Sequence, residues 1–198
     1  MRPADDGLTI IELAVAMFVS AVIIALIGTV FLQGFSTQRE VSSIGSSQSN
    51  ADVILQSLQS GIGNASSFTV GTATSSGQLV TARTARASST PSVSTTWVCQ
   101  AWYYSATLQS IYTTTASSAI SAPSSTTDLT AWEKLNTGSS EDGITVTVPA
   151  DAAAAFAASS TVLVVELEVT DGTTSPVTIE TSLPSSPMAT ATEAPTTC

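Results

Sequence analysis

Glu12 is the side chain whose chemistry most needs an explanation. It is ionisable, yet it stands directly before an uncharged run of 20 residues, Leu13–Leu32. A carboxylate placed in lipid costs about 2.5–3.5 kcal/mol on insertion scales. It therefore needs a partner, a task, or a place at the headgroup boundary from which it can snorkel. Thr9, one helical turn earlier, offers a hydroxyl that can bond this carboxylate or simply begin a helix. Cys99 and Cys198 are the only thiols. A bond between them would close a loop of about 100 residues, worth about 4.7 kcal/mol in the chain-entropy model. It would suit a domain outside the reducing cytoplasm. Two free thiols, or a link between chains, are the other readings of the same count. Glu141, Asp142, Asp151 and Asp171 supply oxygens of the kind calcium prefers. They lack the spacing of an EF-hand loop, and Asp is an ordinary turn residue. The chain has no His, which excludes a His-based triad and a His-ligated metal. Two carboxylates suffice for a glycosidase, but nothing in their arrangement selects a pair. No catalytic residue, metal or cofactor is expected, and the chain is not read as an enzyme.

The elements that position these residues can be read from hydropathy and composition. At 1.5 Å per residue the Leu13–Leu32 run spans about 30 Å, one hydrocarbon core. A signal peptide fits poorly, because its apolar stretch is shorter, comes after a basic region and precedes a small-residue cleavage site. A single-pass membrane helix fits better. Beyond Phe35 the chain turns polar but keeps a helical stripe at Val41, Ile44, Gln48, Ala51, Leu55, Leu58 and Ile62, with Gln48 a polar interruption. Gly61 and Gly63 then suggest the stop. The spacing predicts one helix of about 50 residues, half in lipid and half amphipathic. The remainder of the chain is rich in β-branched and aromatic residues separated by turn formers. Strands are expected at Ser67–Gly71, Gln78–Arg83, Thr96–Tyr104, Gln109–Thr114, Ile144–Val148, Thr161–Thr170 and Pro176–Ser182. The last two form a hairpin with Leu163, Val165, Leu167 and Val169 on the core face. A short helix is expected at Asp128–Asn136, capped by Thr127 or Asp128, with Trp132 and Leu135 inward. Residues 85–95 and 115–127 read as mobile loops. The aromatic run from Trp97 to Tyr104 reads as a central strand covered by the helix on one face, in preference to a saccharide-stacking surface.

Composition narrows the partners. Lys and Arg number 5 against 15 Asp and Glu, a formal net charge of −10. Five scattered cations make no phosphate-binding stripe, so direct nucleic-acid binding is not expected. Charged residues are 10% of the chain, against roughly 25% in ordinary soluble domains. Ser and Thr fill about a third of it, which suits an exported surface whose polarity comes from hydroxyls.

Gly7-Leu8-Thr9-Ile10-Ile11-Glu12 resembles the prepilin cleavage motif of type IV pilins and type II secretion pseudopilins. That motif has Gly before the cut, an apolar residue after it, and Glu as the fifth residue of the mature chain. Leu8 stands where Phe is usual, Asp5 and Asp6 make the leader less basic than most, and no Pro interrupts the membrane helix. The resemblance implies cleavage after Gly7 by a prepilin peptidase and N-methylation of Leu8. It also implies that Glu12, assisted by Thr9, pairs with the Leu8 amine of a neighbouring subunit during assembly. The fold it implies is pilin-like α+β: a long N-terminal helix packed on a C-terminal antiparallel sheet. The divisions are a leader at 1–7, a membrane and filament-core helix at 8–35, its amphipathic half at 36–62, a β-rich domain at 63–183 and an extended tail at 184–198. A looser resemblance, carried by the Cys-Gln-Ala-Trp-Tyr-Tyr strand, the Trp132 helix and the late hairpin, is to minor subunits of the J and W types. Partners would be other pilin or pseudopilin subunits, the peptidase, and an assembly ATPase with its membrane platform. The chain would sit in the inner or cytoplasmic membrane, its C-terminal domain outside, until drawn into an extracellular filament. The rival reading is an uncleaved, membrane-anchored adhesin or receptor.

Overall fold

The computed structural model describes residues 9–87, 95–136, 143–172, 175–186 and 198. They belong to two compact units, Met1–Ser42 and Ser43–Cys198. A single helix, α1 (Ile10–Gly63), contributes to both.

In the first unit α1 is apolar on every face from Leu13 to Leu32 and becomes polar toward Gln38, Arg39 and Glu40. Its large side chains from Ile10 to Phe35 are all exposed, from Val22 at 43% to Ile10 at 89%. Hydroxyls in this stretch and just after it bond their own helix. Thr29 Oγ1 donates to Leu26 O at 2.8 Å, and Ser36 Oγ to Gln33 O at 2.8 Å. This is how a polar group remains satisfied where water is absent.

The second unit is built on the rest of α1. Its buried face is Ser47, Asn50, Ala51, Ile54, Leu58, Gly61 and Ile62. This corrects the expected stripe. Ala51, Leu58 and Ile62 stand as read, but Val41 and Gln48 are exposed, Leu55 lies at the margin, and Ile54 takes the centre. The face includes small and polar residues because the sheet comes close. A Cβ at Gly61 would run into the Trp102 indole. Gly61 therefore serves close packing rather than the helix stop. The end is finished by Asn64, whose Nδ2 donates to Ser60 O at 2.8 Å.

Five antiparallel strands form the first sheet: β1 (Ala65–Val70), β2 (Gly77–Ala87), β3 (Thr95–Ser105), β4 (Ser110–Ala116) and β5 (Glu133–Lys134), in that order. β3, the aromatic strand, is central. Trp102 and Tyr104 point into the main core with Ile54, Leu58 and Ile62 of α1. The second sheet holds β6 (Thr145–Thr147), β7 (Phe156–Ser159), β8 (Val162–Thr170) and β9 (Val177–Pro184). β8 pairs antiparallel with all three. Its Leu163, Val165, Leu167 and Val169 are buried, as the alternation requires. The chain is α+β, a long N-terminal apolar helix packed through its second half on antiparallel sheet.

Two buried amides tie the sheets together. Gln78 Nε2 donates to Phe156 O at 2.8 Å, and Phe156 N donates back to Gln78 Oε1 at 2.9 Å. Asn136 Nδ2 donates to Ile144 O at 2.8 Å, while its Oδ1 accepts from Ile111 N at 3.1 Å. Each side chain acts as a piece of strand backbone where two strands do not meet.

Other expectations are corrected. β2 and β3 extend to the pair Ala87↔Thr95, so both ends of the loop read at 85–95 are ladder, and 88–94 lie outside the described residues. The helix read at Asp128–Asn136 is a 3-10 helix at Thr126–Ala131, succeeded by β5. Its N-cap is Ser125 rather than Thr127 or Asp128. Gln109 lies in the β3–β4 turn with φ 46° and is not part of the strand. β7 was not foreseen. β9 carries the chain to Pro184, and of the tail beyond it residues 187–197 lie outside the described set.

Candidate functional site

The start of α1 brings Thr9 and Glu12 together. Thr9 N and Thr9 Oγ1 each donate to Glu12 Oε2 at 3.1 Å, and Glu12 N donates to Thr9 Oγ1 at 3.3 Å. Thr9 O accepts from Leu13 N at 3.1 Å, the first turn of the helix. The arrangement is a reciprocal capping box, T-x-x-E, which satisfies backbone donors that a helix start leaves open. A carboxylate also suits the positive end of the helix dipole. Glu12 therefore has a local task within its own chain. Gly7 and Leu8, the expected processing pair, lie outside the described residues.

The helix beyond this box is the structure's one candidate, among the described residues, for crossing a membrane by length and composition. Nothing among the described residues buries its most apolar window. An ionisable group at the mouth of such a segment is the combination that points to a functional end.

In the second unit Cys99 and Cys198 are joined in a disulfide, their Cα atoms 5.5 Å apart. Of the readings left open by the cysteine count, intrachain pairing is the one the structure holds. Cys99 is buried on the face of β3 that looks away from α1. Cys198 O accepts from Ile120 N at 3.0 Å, so residue 198 is held to the strand and to the segment after β4. The same face carries a smaller core of Tyr103, Tyr112 and Leu129, with Leu79 and Trp132 against it. Tyr103 and Trp132 meet edge to face at 6.3 Å. Arg83 lies over the Trp97 ring, 4.9 Å from its centre. The aromatic run is structural: three of its rings, Trp102, Tyr103 and Tyr104, are buried and unavailable for stacking on a ligand.

Asp128 organises the cover of this smaller core. Its Oδ2 accepts from Ser124 N at 2.9 Å, Ser124 Oγ at 2.8 Å and Ser125 N at 3.0 Å. These bonds, the Ser124 hydroxyl first among them, hold its carboxyl below the ordinary value of 3.8.

Glu141 and Asp142 lie outside the described residues. Among the described residues, no three His, Cys, Asp or Glu side chains gather as a metal site. The residues that sequence reasoning missed are neutral amides: Gln78 and Asn136 entered it only as the ends of a strand and a helix, and only a polar residue at a core-facing strand position could have marked Gln78. Comparison with family models, with curated proteins and with solved structures finds none that matches this chain.

Proposed function

We propose that the chain is a structural subunit, of the minor pilin or pseudopilin kind, of a type IV pilus-like or type II secretion-like filament. It is processed after Gly7, methylated at Leu8 and guided into the filament by Glu12. The observation that carries this reading is the helix from Ile10 to Phe35, apolar on all sides past Glu12 and covered by none of the described residues. Such a surface calls for lipid before assembly and for other helices after it. The G-L-T-I-I-E motif at its head supplies the reason to choose a subunit over a simple anchor. Cleavage would leave a new amine at Leu8, close to the Glu12 carboxylate, and that amine on an incoming neighbour would be an opposite charge in a low-dielectric setting. The disulfide suits a domain that works outside the reducing compartment. Removing the leader takes Arg2, Asp5 and Asp6 together, so the subunit stays strongly acidic. Close packing would then favour neighbours of complementary charge, a low-copy place in a mixed filament.

One observation favours the second reading, an uncleaved anchored receptor or adhesin. The Thr9–Glu12 box gives the carboxylate a role that needs no neighbour. N-terminal sequencing and intact mass of the protein from its host's membranes and sheared surface material separate the two. A chain that begins at methylated Leu8 and occurs in sheared material is expected. A chain that begins at Met1 and stays in membranes overturns the subunit reading.

A further inference from the structure

α1 leaves part of its side of the first sheet uncovered. On that side β3 presents Tyr104, Trp102 and Gln100 in turn, and the paired positions of β4 are Ile111, Thr113 and Thr115. Polarity changes along both strands together: Trp102 and Ile111 are fully buried, Gln100 is half-buried and Thr115 is exposed. Between this polar strip and the flank of α1 lies a groove of about 770 Å³, within the range of about 300–1,000 Å³ usual for small-molecule sites. Its chemistry is unusual for such a site, where apolar lining is the rule. Nine of the 14 residues that line it are Ser, Thr, Asn or Gln, and Glu133 is the one charged residue among them.

We infer that this groove binds an uncharged saccharide chain. Among the described residues no Lys or Arg lines it, in a molecule of net charge −10, so an anionic ligand would meet repulsion with no cation among them to offset it. An apolar ligand would strip water from amides and hydroxyls without replacing their bonds. The floor of the groove is a sheet face whose backbone groups are used by the β3–β4 ladder, so a peptide strand could pair only along the short β4 edge beyond Thr113, where β5 pairs no further. A neutral sugar meets each condition. Glu133 can accept from two adjacent hydroxyls, and the Gln100 amide can both give and accept. Ser57 Oγ already accepts from Trp102 Nε1 at 3.0 Å, which leaves its own proton to donate outward. Thr113 Oγ1 gives its proton to Ala101 O at 3.0 Å, which leaves lone pairs to accept. The two hydroxyls are thus oriented before any ligand arrives, which lowers the ordering cost of binding. The inference does not rest on the assembly reading.

The test is an NMR titration of the full chain in detergent micelles with maltotriose, cellotriose and chitotriose, and with trigalacturonate as the acidic counterpart. Saturable shifts at Gln100, Thr115 and Ser57 are expected with at least one neutral probe and none with trigalacturonate. Gln100→Ala and Glu133→Gln should each weaken that binding about three- to tenfold. Glu133 is exposed, so its variant tests the site even if Gln100→Ala disturbs packing near Gly61. The inference is overturned if no neutral probe shifts these residues, if trigalacturonate binds as well, or if Glu133→Gln leaves affinity unchanged. It is equally overturned if a Ser/Thr-rich peptide occupies the groove more tightly than any of the sugars.

Discussion

At the scale of single residues, two glycines a half-turn apart in α1 have opposite work. A Cβ at Gly61 would meet the buried Trp102 ring, whereas nothing lies within 4 Å of one at Gly63. Ala lowers the cost of a helix by up to about 1 kcal/mol relative to Gly, while overpacking a rigid neighbour costs about 1–3 kcal/mol. Gly61→Ala should therefore destabilise the second unit by about 1–2 kcal/mol, and Gly63→Ala should be neutral or stabilising. Urea titration of both variants, monitored by tryptophan fluorescence, checks the contrast; equal effects would mean the close approach of Trp102 is not a constraint. Asp128 makes a pH prediction. Its carboxyl lies below 3.8 in the folded chain because Ser124 and Ser125 donate to the ionised form. A lowered folded value means the stabilisation is present above the unfolded value and is lost as pH falls through the folded one. The amides of Ser124 and Ser125 should lose hydrogen-exchange protection only below that range. In Asp128→Asn they should be weakly protected at every pH.

At the scale of elements, β8 and the disulfide bear most of the second unit. Leu167 is fully buried and Glu166 beside it faces out. Leu167→Ala should cost about 2–5 kcal/mol by loss of contacts and cavity formation. Glu166→Ala should change little, because Glu166 is paired directly opposite Glu180, a like charge. Reduction of Cys99–Cys198, or Cys198→Ser, should lower stability by about 2–4 kcal/mol, read as a fall in the urea midpoint under dithiothreitol. The same elements show what a sequence can reveal. β8, β9 and the aromatic β3 were legible because β-branched residues alternate between two clear faces. β7 was not, since Phe156-Ala157-Ala158-Ser159 carries no β-branched residue and its turn to β8 uses Ser160 at φ 56°, with no Gly to announce it. The buried face of α1 was half-legible. Hydropathy finds Ala51, Leu58 and Ile62, but Ser47, Asn50 and Gly61 are buried by the nearness of the sheet, which only the tertiary fold decides. The groove beside α1 was not legible for a related reason: Thr113 looks like an ordinary strand residue and Thr115 falls in the segment read as a loop, whereas β4 runs on to Ala116 and leaves Thr115 exposed.

At the scale of the whole molecule, the question is whether Glu12 answers to its own helix or to a neighbour, and the capping box makes the two separable. Thr9 and Glu12 share the local bonds, so losing either residue removes the box, at a cost of about 0.5–2 kcal/mol to the helix start. Only Glu12 carries the charge that a neighbouring amine could use. If capping were its whole role, Thr9→Ala and Glu12→Ala would act alike, and both would be mild, since the apolar run after them is long enough to hold the chain in a membrane by itself. If assembly depends on the charge, Thr9→Ala should retain most of its presence in sheared surface material, while Glu12→Ala should be membrane-inserted and absent from it. Glu12→Gln sharpens the comparison, because it keeps an oxygen for the Thr9 donors and removes the charge. Quantifying the three variants in membrane and sheared fractions by immunoblot makes the distinction. A Glu12→Gln chain that reaches the sheared fraction at the native level would assign the carboxylate to its own helix and leave the subunit reading without its assembly residue. Its exclusion, with Thr9→Ala tolerated, would mean that the charge acts between chains.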